Sequence, residues 1–170
     1  KTRRSCVQQM LHTYKTECGD GSALVALQRT PPENISDFGA ATGTWIANAD
    51  GSMSTDIMKL STIIEKPTME DAETLLKVPE ERHTFLSFFG HYVLPSSIFK
   101  LLQDQQDSNL RMKNGQFGFT DVLSRFKDNV GAKGLIMKGL RYDIGTPEHF
   151  LHTNQTFLNE LDPRKNPIKY

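Results

Sequence analysis

The sequence has little cysteine, no excess of either charge and no long apolar run, and each absence excludes a class of protein. Lysine plus arginine equals aspartate plus glutamate at 20 each among 170 residues. This balance predicts no binding to nucleic acid and no attraction to a membrane surface. No apolar stretch approaches the roughly 20 residues that a membrane helix needs. The first residues, KTRRSCVQQM, also lack the apolar core of a signal peptide.

Cys6 and Cys18 are the only cysteines, and they flank one predicted helix. They could pair with each other, but two such residues do not make a disulfide framework. We therefore expect free thiols, a reducing compartment and a cytoplasmic location.

The composition predicts a single globular domain over residues 1–170. Hydrophobic residues make up 37% of the chain and charged residues 24%, a balance typical of folded proteins and not of disordered ones. The length is enough for a substantial core.

Periodicity and capping residues predict a mixed α/β fold. Amphipathic spacing indicates helices over 5–17, 68–78, 96–103, 119–129 and 146–162, and all of them except 119–129 have serine, threonine or proline at the start. Apolar and aromatic runs indicate strands over 23–28, 84–95 and 133–145. Short strands should fill 38–67, with a hairpin turn at Asp50-Gly51. Because helices alternate with strands, we expect a mixed, mainly parallel sheet with flanking helices.

Two strand ends carry polar residues that could form a site. Glu65 and Lys66 follow the apolar run STII, and Asp143 follows an aromatic stretch and precedes Gly-Thr-Pro. In open α/β sheets, ligands bind where strands end. Lys66 could hold an anion, Glu65 could accept hydrogen bonds from hydroxyl groups, and Asp143 could bind a divalent cation through oxygen. The alternative is that these residues only terminate strands and form turns.

Gly39, in the segment FGAATG, is a place where the backbone could approach a ligand closely because it has no Cβ. The segment does not make a phosphate-binding loop, since the required lysine and third glycine are absent.

Five segments, in this order, resemble the C-terminal part of the sugar-1-phosphate nucleotidyltransferases: ISDFGAA (35–41), STIIEKP (61–67), FFGHYVLPSSIFKLL (88–102), GQFGFTDVL (115–123) and RYDIGTPEHFL (141–151). Within that family, the chain is most similar to the bacterial-type uridylyltransferases that act on glucose 1-phosphate. The resemblance implies the C-terminal, sugar-phosphate-binding portion of a Rossmann-like nucleotidyltransferase fold. The family's N-terminal nucleotide-binding portion has no counterpart in this sequence.

The resemblance also implies a reaction and its residues. Uridylyl transfer from UTP to glucose 1-phosphate would give UDP-glucose and pyrophosphate, with Mg²⁺ as cofactor. Lys66 and Asp143 would be catalytic, with Lys66 on the sugar phosphate and Asp143 on the metal. Glu65 would bind sugar hydroxyls, and Gly39 would place its backbone against the sugar. Members of the family commonly self-associate, so a homo-oligomer is possible.

Three departures from the family pattern leave alternatives open. Gln116 stands where the family usually has an acid, Gly118 where it has glutamine, and His91 where bacterial enzymes carry arginine. A non-catalytic relative that binds a sugar phosphate or another subunit is one alternative. A nucleotidyltransferase that uses another nucleotide is the other. Because the chain resembles only the sugar-phosphate-binding portion of the enzyme, we expect the 170 residues alone not to make UDP-glucose.

Overall fold

The structure is a computed structural model that describes residues 4–48, 50–81, 83–108, 118–139, 142 and 144–160. The chain divides into two compact units, Lys1–Met137 and Lys138–Tyr170, and each is described by itself. A compact unit need not fold alone, so this division does not test whether residues 1–170 form a single domain. That assignment stays a prediction.

The first unit contains a mixed sheet that closes on itself. Its described strands are β1 (Ala23–Thr30), β2 (Gly39–Ala47), β3 (Met53–Ile64), β4 (Phe85–Val93) and β5 (Ala132–Ile136). They lie in the order β1-β4-β2-β3-β5, and β5 pairs with β1 to complete the ring. A hairpin joins β2 to β3 at the predicted turn, where Gly51 has φ 82° and Asn48 N–H donates to the Ser52 carbonyl at 2.7 Å.

The prediction of a mainly parallel sheet is wrong, although the mixed α/β class is confirmed. Among the described strands only the β1–β5 pair is parallel, and the four other pairs are antiparallel. The prediction treated each intervening helix as a crossover between neighbouring parallel strands. Instead β4 inserts between β1 and β2 and runs antiparallel to both. The hairpin makes β2 and β3 antiparallel as well, since a tight turn reverses the chain.

Local capping signals explain the helices of this unit, which are α1 (Cys6–Glu17), α2 (Met69–Leu75), α3 (Ile98–Asp107) and α4 (Phe119–Asn129). Ser5 and Thr68 each form a capping box, in which the side chain of the third helical residue, Gln8 or Asp71, bonds back to the cap. Pro32–Asp37, between β1 and β2, forms a 3₁₀ helix. In the described part of the chain, no helix is both long enough and apolar enough to cross a membrane.

The core lies on both faces of β1, as its continuous apolar run predicts. Residues 23–27 have no solvent exposure. One face packs in a cluster with the apolar sides of α3 and α4, including Ile98 and Phe126. The other packs under α1 against Met10 and Cys18. Both cysteines carry free thiols, and burial raises the pKa of each.

The second unit contains helix α5 (Pro147–Glu160). Pro147 opens it as predicted, and Thr146 Oγ1 accepts a hydrogen bond from the His149 N–H at 3.2 Å. The strand predicted over 133–145 is confirmed only as far as Ile136. Tyr142 and Ile144 are not in a strand, and Leu140, Arg141 and Asp143 lie outside the described residues.

Candidate functional site

The candidate site forms where the start of β2 meets the end of β3. Ala40 pairs with Ile64, the last residue of β3, and Gly39 pairs with Phe88 of β4. Glu65 follows Ile64 directly. Strand pairing therefore places two predicted site residues, Gly39 and Glu65, side by side.

Gly39 is buried and tightly surrounded. A Cβ at this position would lie 2.1 Å from Phe88 Cζ and 2.9 Å from Glu65 Oε2, both shorter than real Cβ contacts. Glycine is therefore required here by the close approach of an aromatic ring and a carboxylate. The need for glycine at position 39 therefore has a reason within the protein itself, besides the predicted close approach of a ligand to the backbone.

The first turn of α4 supplies a partner for Glu65. Thr120 Oγ1 donates a hydrogen bond of 2.7 Å to Glu65 Oε2. Gly118, at the N-cap of α4, provides no side chain to cap the helix. Because Thr120 lies in the first turn of α4, its bond places the Glu65 carboxylate near the positive end of the helix dipole, which stabilises negative charge.

Tyr92 and two phenylalanines form an aromatic wall beside this carboxylate. The ring centroid of Tyr92 lies 6.3 Å from that of Phe88 and 5.1 Å from that of Phe119. Burial, with the negative charge of Glu65 nearby, raises the pKa of Tyr92 to about 12. The phenol therefore stays protonated at neutral pH and can act as a hydrogen-bond donor.

Strand β4 contains a bulge between Phe88 and Tyr92, the two residues that it contributes to this wall. Between the Leu27–Phe88 and Val25–Tyr92 pairs, β4 holds two more residues than β1, and Gly90 within it has φ 77°. Two extra residues preserve the side-chain alternation, so Phe88 and Tyr92 stay in the same apolar cluster.

His91, where the family pattern has arginine, lies beside the other cluster. Its ring centroid is 5.2 Å from that of Phe89. Phe89 packs against the cluster under α1, whereas Tyr92 packs on the opposite side of the strand.

Lys66 has an uncommon backbone conformation. Its φ of 44° lies in the left-handed region, which is unfavourable for residues with a Cβ. The side chain is exposed, and the next residue, Pro67, is fully buried. Backbone strain of this kind is often found at functional positions.

No complete metal site lies in the described part of the chain, which has no group of three or more His, Cys, Asp or Glu side chains placed to hold an ion. Asp143, the predicted metal ligand, is outside the described residues, as is Gln116. The described residues therefore do not supply a ligand set for Mg²⁺ by themselves.

The sequence reasoning did not assign Phe88, Tyr92 or Thr120 to the site. All three lie in segments that carry the family resemblance, FFGHYVLPSSIFKLL and GQFGFTDVL. No local signal distinguishes Tyr92, because the same strand also carries the polar residues Ser87 and His91. Nothing in the local sequence of Thr120 signals its contact with Glu65, because it depends on folding across 55 positions.

The structure is a mixed α/β protein in which the start of β2, the end of β3 and the N-terminus of α4 bring together a carboxylate and a tyrosine, with a lysine next in sequence to the carboxylate. Such a set suits a polyhydroxylated, negatively charged ligand, because a carboxylate accepts from hydroxyl groups and an ammonium attracts an anion.

Comparison with known proteins confirms the resemblance predicted from the sequence. The chain is 28% identical over 157 residues to the UTP–glucose-1-phosphate uridylyltransferase of Pseudomonas aeruginosa, covering 91% of this chain and 47% of that protein. It is 26% identical over 170 residues to the enzyme of the same name from Mycoplasma genitalium, covering 98% and 50%. A crystal structure of a UDP-glucose pyrophosphorylase complexed with UDP-glucose superimposes with a TM-score of 0.74 at 22% identity, covering 94% and 52%.

The chain spans about half the length of the curated relatives it matches. No family model matches the sequence.

Proposed function

We propose that the chain is the sugar-phosphate-binding portion of a UTP–glucose-1-phosphate uridylyltransferase with a Rossmann-like nucleotidyltransferase fold. The observation that carries this proposal is the meeting of Gly39, Glu65, Tyr92 and Thr120 in one place next to Lys66. The similarity to uridylyltransferases along most of the chain supports it.

In the proposed site, Glu65 and Tyr92 bind the hydroxyl groups of the sugar. The Thr120 hydroxyl occupies Oε2 of Glu65, and a carboxylate has further lone pairs with which to accept hydrogen bonds from the ligand. Tyr92, protonated at neutral pH, adds a donor and an apolar ring. Gly39 lets the sugar lie against the backbone at the edge of the sheet.

Lys66 holds the phosphate of glucose 1-phosphate as a point charge. A phosphate oxygen of the sugar phosphate then attacks the α-phosphorus of UTP in line, and the bond to the leaving pyrophosphate breaks. Such a transfer needs positioning and charge neutralisation more than covalent help from the protein. Lys66 therefore contributes by orienting the attacking oxygen and by reducing the repulsion between two anionic substrates.

The remaining parts of the proposal rest on the family resemblance. Mg²⁺ is the proposed cofactor and Asp143 its proposed ligand. UTP would be bound by a nucleotide-binding portion outside this sequence. A cytoplasmic location and self-association complete the hypothesis. Removal of divalent ions with EDTA should abolish turnover, and Mg²⁺ should restore it.

Replacement of Lys66 in the full-length protein tests the proposal. Lys66→Met removes the charge and keeps an unbranched side chain. We expect glucose-1-phosphate-dependent release of pyrophosphate from UTP to fall by roughly 100-fold or more, as when a charge-assisted contact in a transition state is lost. Lys59→Met, on the exposed side of β3, is the matched control and should keep wild-type turnover.

Turnover in the parent protein decides between this function and its alternatives. Absence of turnover with UTP, together with saturable binding of glucose 1-phosphate, would favour a non-catalytic sugar-phosphate-binding relative. Turnover with another nucleoside triphosphate in place of UTP would favour a different nucleotidyltransferase. The 170-residue chain assayed alone should release no pyrophosphate.

A further inference from the structure

A cavity of about 450 Å³ lies in the first unit, and it shares no lining residue with the candidate site. Its walls come from the 3₁₀ helix at Pro32, from α2 at Glu73, and from residues 77, 78, 81 and 83–85 before and at the start of β4. Its volume is in the range of small-molecule sites, roughly 300–1,000 Å³.

Side chains of the sheet fix the wall of the cavity at Lys77 and Glu81, and they also fix Pro79 between these two lining residues. Thr42 Oγ1 donates to the carbonyl of Lys77 at 2.7 Å, and Trp45 Nε1 donates to the carbonyl of Pro79 at 3.3 Å. Arg29 forms a two-pronged ion pair with Glu81, through Nη2 at 2.7 Å and Nε at 3.0 Å. The wall is therefore preorganised, which reduces the entropy lost when a ligand binds.

Two residues of the same segment, Glu80 and the lining residue His83, lie in the left-handed backbone region. Glu80 has φ 66° and His83 has φ 60°. Neither residue is glycine, so each conformation costs of order 1 kcal/mol.

The buried part of the cavity lining is apolar, and its more exposed part carries groups that can donate hydrogen bonds. Val78 and Phe85 are only 3% and 7% exposed, and they belong to the core beneath. Lys77, His83 and Thr84 line the opening. No ion pair of the Lys77 ammonium is recorded among the residues the structure describes. An apolar body with an anionic group would satisfy both surfaces.

The two glutamates of the lining limit the charge of such a ligand. Arg29 neutralises Glu81, whereas Glu73 lies at the cavity with no ion pair recorded among the described residues. A like charge close to the site disfavours a multiply charged anion. We propose that this cavity binds a small organic monoanion with an apolar body, such as a monocarboxylate, with Lys77 attracting the anion and Val78 and Phe85 contacting the body.

Binding of 3-phenylpropionate to the full-length protein tests this proposal. The compound joins an aromatic ring to one carboxylate, and 3-phenylpropanol is the uncharged control. In an NMR or calorimetric titration at low ionic strength, we expect saturable binding of the carboxylate and roughly twofold weaker binding of the alcohol, which loses the attraction of Lys77 and the repulsion of Glu73 together.

Two variants with opposite expected signs make the test specific. Lys77→Met should weaken binding of the carboxylate by roughly threefold to fivefold, and Glu73→Gln should strengthen it by roughly twofold to threefold. Lys100→Met on α3 is the matched control and should change nothing. Unchanged affinity in both cavity variants, or no saturable binding, would overturn the proposal. Loss of binding in Lys66→Met would also overturn it, because the compound would then occupy the sugar-phosphate site.

Discussion

Thr120 Oγ1 lies 2.7 Å from Glu65 Oε2 and joins the first turn of α4 to the end of β3. This hydrogen bond fixes one oxygen of the carboxylate that we propose reads the sugar hydroxyls. Thr120 is therefore a positioning residue, which acts on the substrate through Glu65.

Replacement of Thr120 by valine should raise the KM for glucose 1-phosphate in the full-length protein and leave kcat with saturating substrate nearly unchanged. We expect an increase of roughly fivefold to tenfold, less than the full loss of a hydrogen bond to a charged group, because Glu65 itself remains. Thr120→Ser, which keeps the hydroxyl, should restore the KM. If valine and serine behave alike, the hydroxyl does not position the carboxylate.

Gly39 should tolerate no larger residue. In Gly39→Ala the new methyl group would meet Phe88 at 2.1 Å and Glu65 at 2.9 Å, so the ring and the carboxylate must move. We expect a loss of about 1–3 kcal/mol in the free energy of unfolding, as for other overpacked sites, together with a raised KM for the sugar phosphate. Urea unfolding and steady-state kinetics measure the two effects.

Two alanine variants separate crowding from site disruption. Gly134→Ala places its Cβ 2.3 Å from Leu27 Cδ1, in the core, and should lower stability without changing the KM. Gly19→Ala has no atom within 4 Å and should change neither. A normal KM in folded Gly39→Ala would contradict the placement of Glu65 in the sugar site.

Replacement of Lys66 by glycine should preserve or raise the stability of the protein and abolish most of its activity. Glycine adopts a φ of 44° without steric cost. The free energy of unfolding of Lys66→Gly, measured with urea, should therefore equal that of the wild type or exceed it by up to about 1 kcal/mol. The same variant lacks the ammonium and should lose turnover as severely as Lys66→Met. A clear loss of stability in Lys66→Gly would show that the lysine is held there by contacts of its own.

The elements that local signals define could be predicted from the sequence. Helix α4 was predicted at its observed bounds, Phe119–Asn129, and the caps at Ser5 and Thr68 follow from side chains three residues apart. The direction of strand pairing could not be predicted in this way. It depends on β4 inserting between β1 and β2. This pairing joins residues far apart in the sequence, and the periodicity of a single strand does not indicate it.

The candidate site divides along the same line. Glu65 and Lys66 stand out because charged residues directly follow an apolar strand, and Gly39 stands out because a residue without a Cβ lets the backbone approach a ligand closely. Tyr92 and Thr120 reach the site only through the sheet order and the packing of α4. Their contribution is therefore a property of the fold and is not visible in their immediate neighbours.

Asp20, away from the candidate site, should make the free energy of unfolding depend on pH in the acid range. Its carboxylate accepts hydrogen bonds from the Ser22 hydroxyl at 2.6 Å and from the Lys133 ammonium at 3.1 Å. The Ser22 hydroxyl is the main cause that lowers the pKa of Asp20 from 3.8 to about 2. A lowered folded-state pKa stabilises the protein above the unfolded value, and this contribution is lost as the pH falls from about 4 to about 2.

Asp20→Asn tests this linkage, because asparagine keeps the shape and the acceptor oxygen but cannot titrate. Above pH 5 the variant should be less stable than the wild type by less than about 1 kcal/mol, since the carboxylate is largely exposed and screened by solvent. The difference should shrink as the pH falls from about 4 to about 2, where about half of the folded wild-type carboxyl groups are protonated. Urea unfolding at a series of pH values measures it, and a difference that stays constant from pH 6 to pH 2 would contradict the assigned cause.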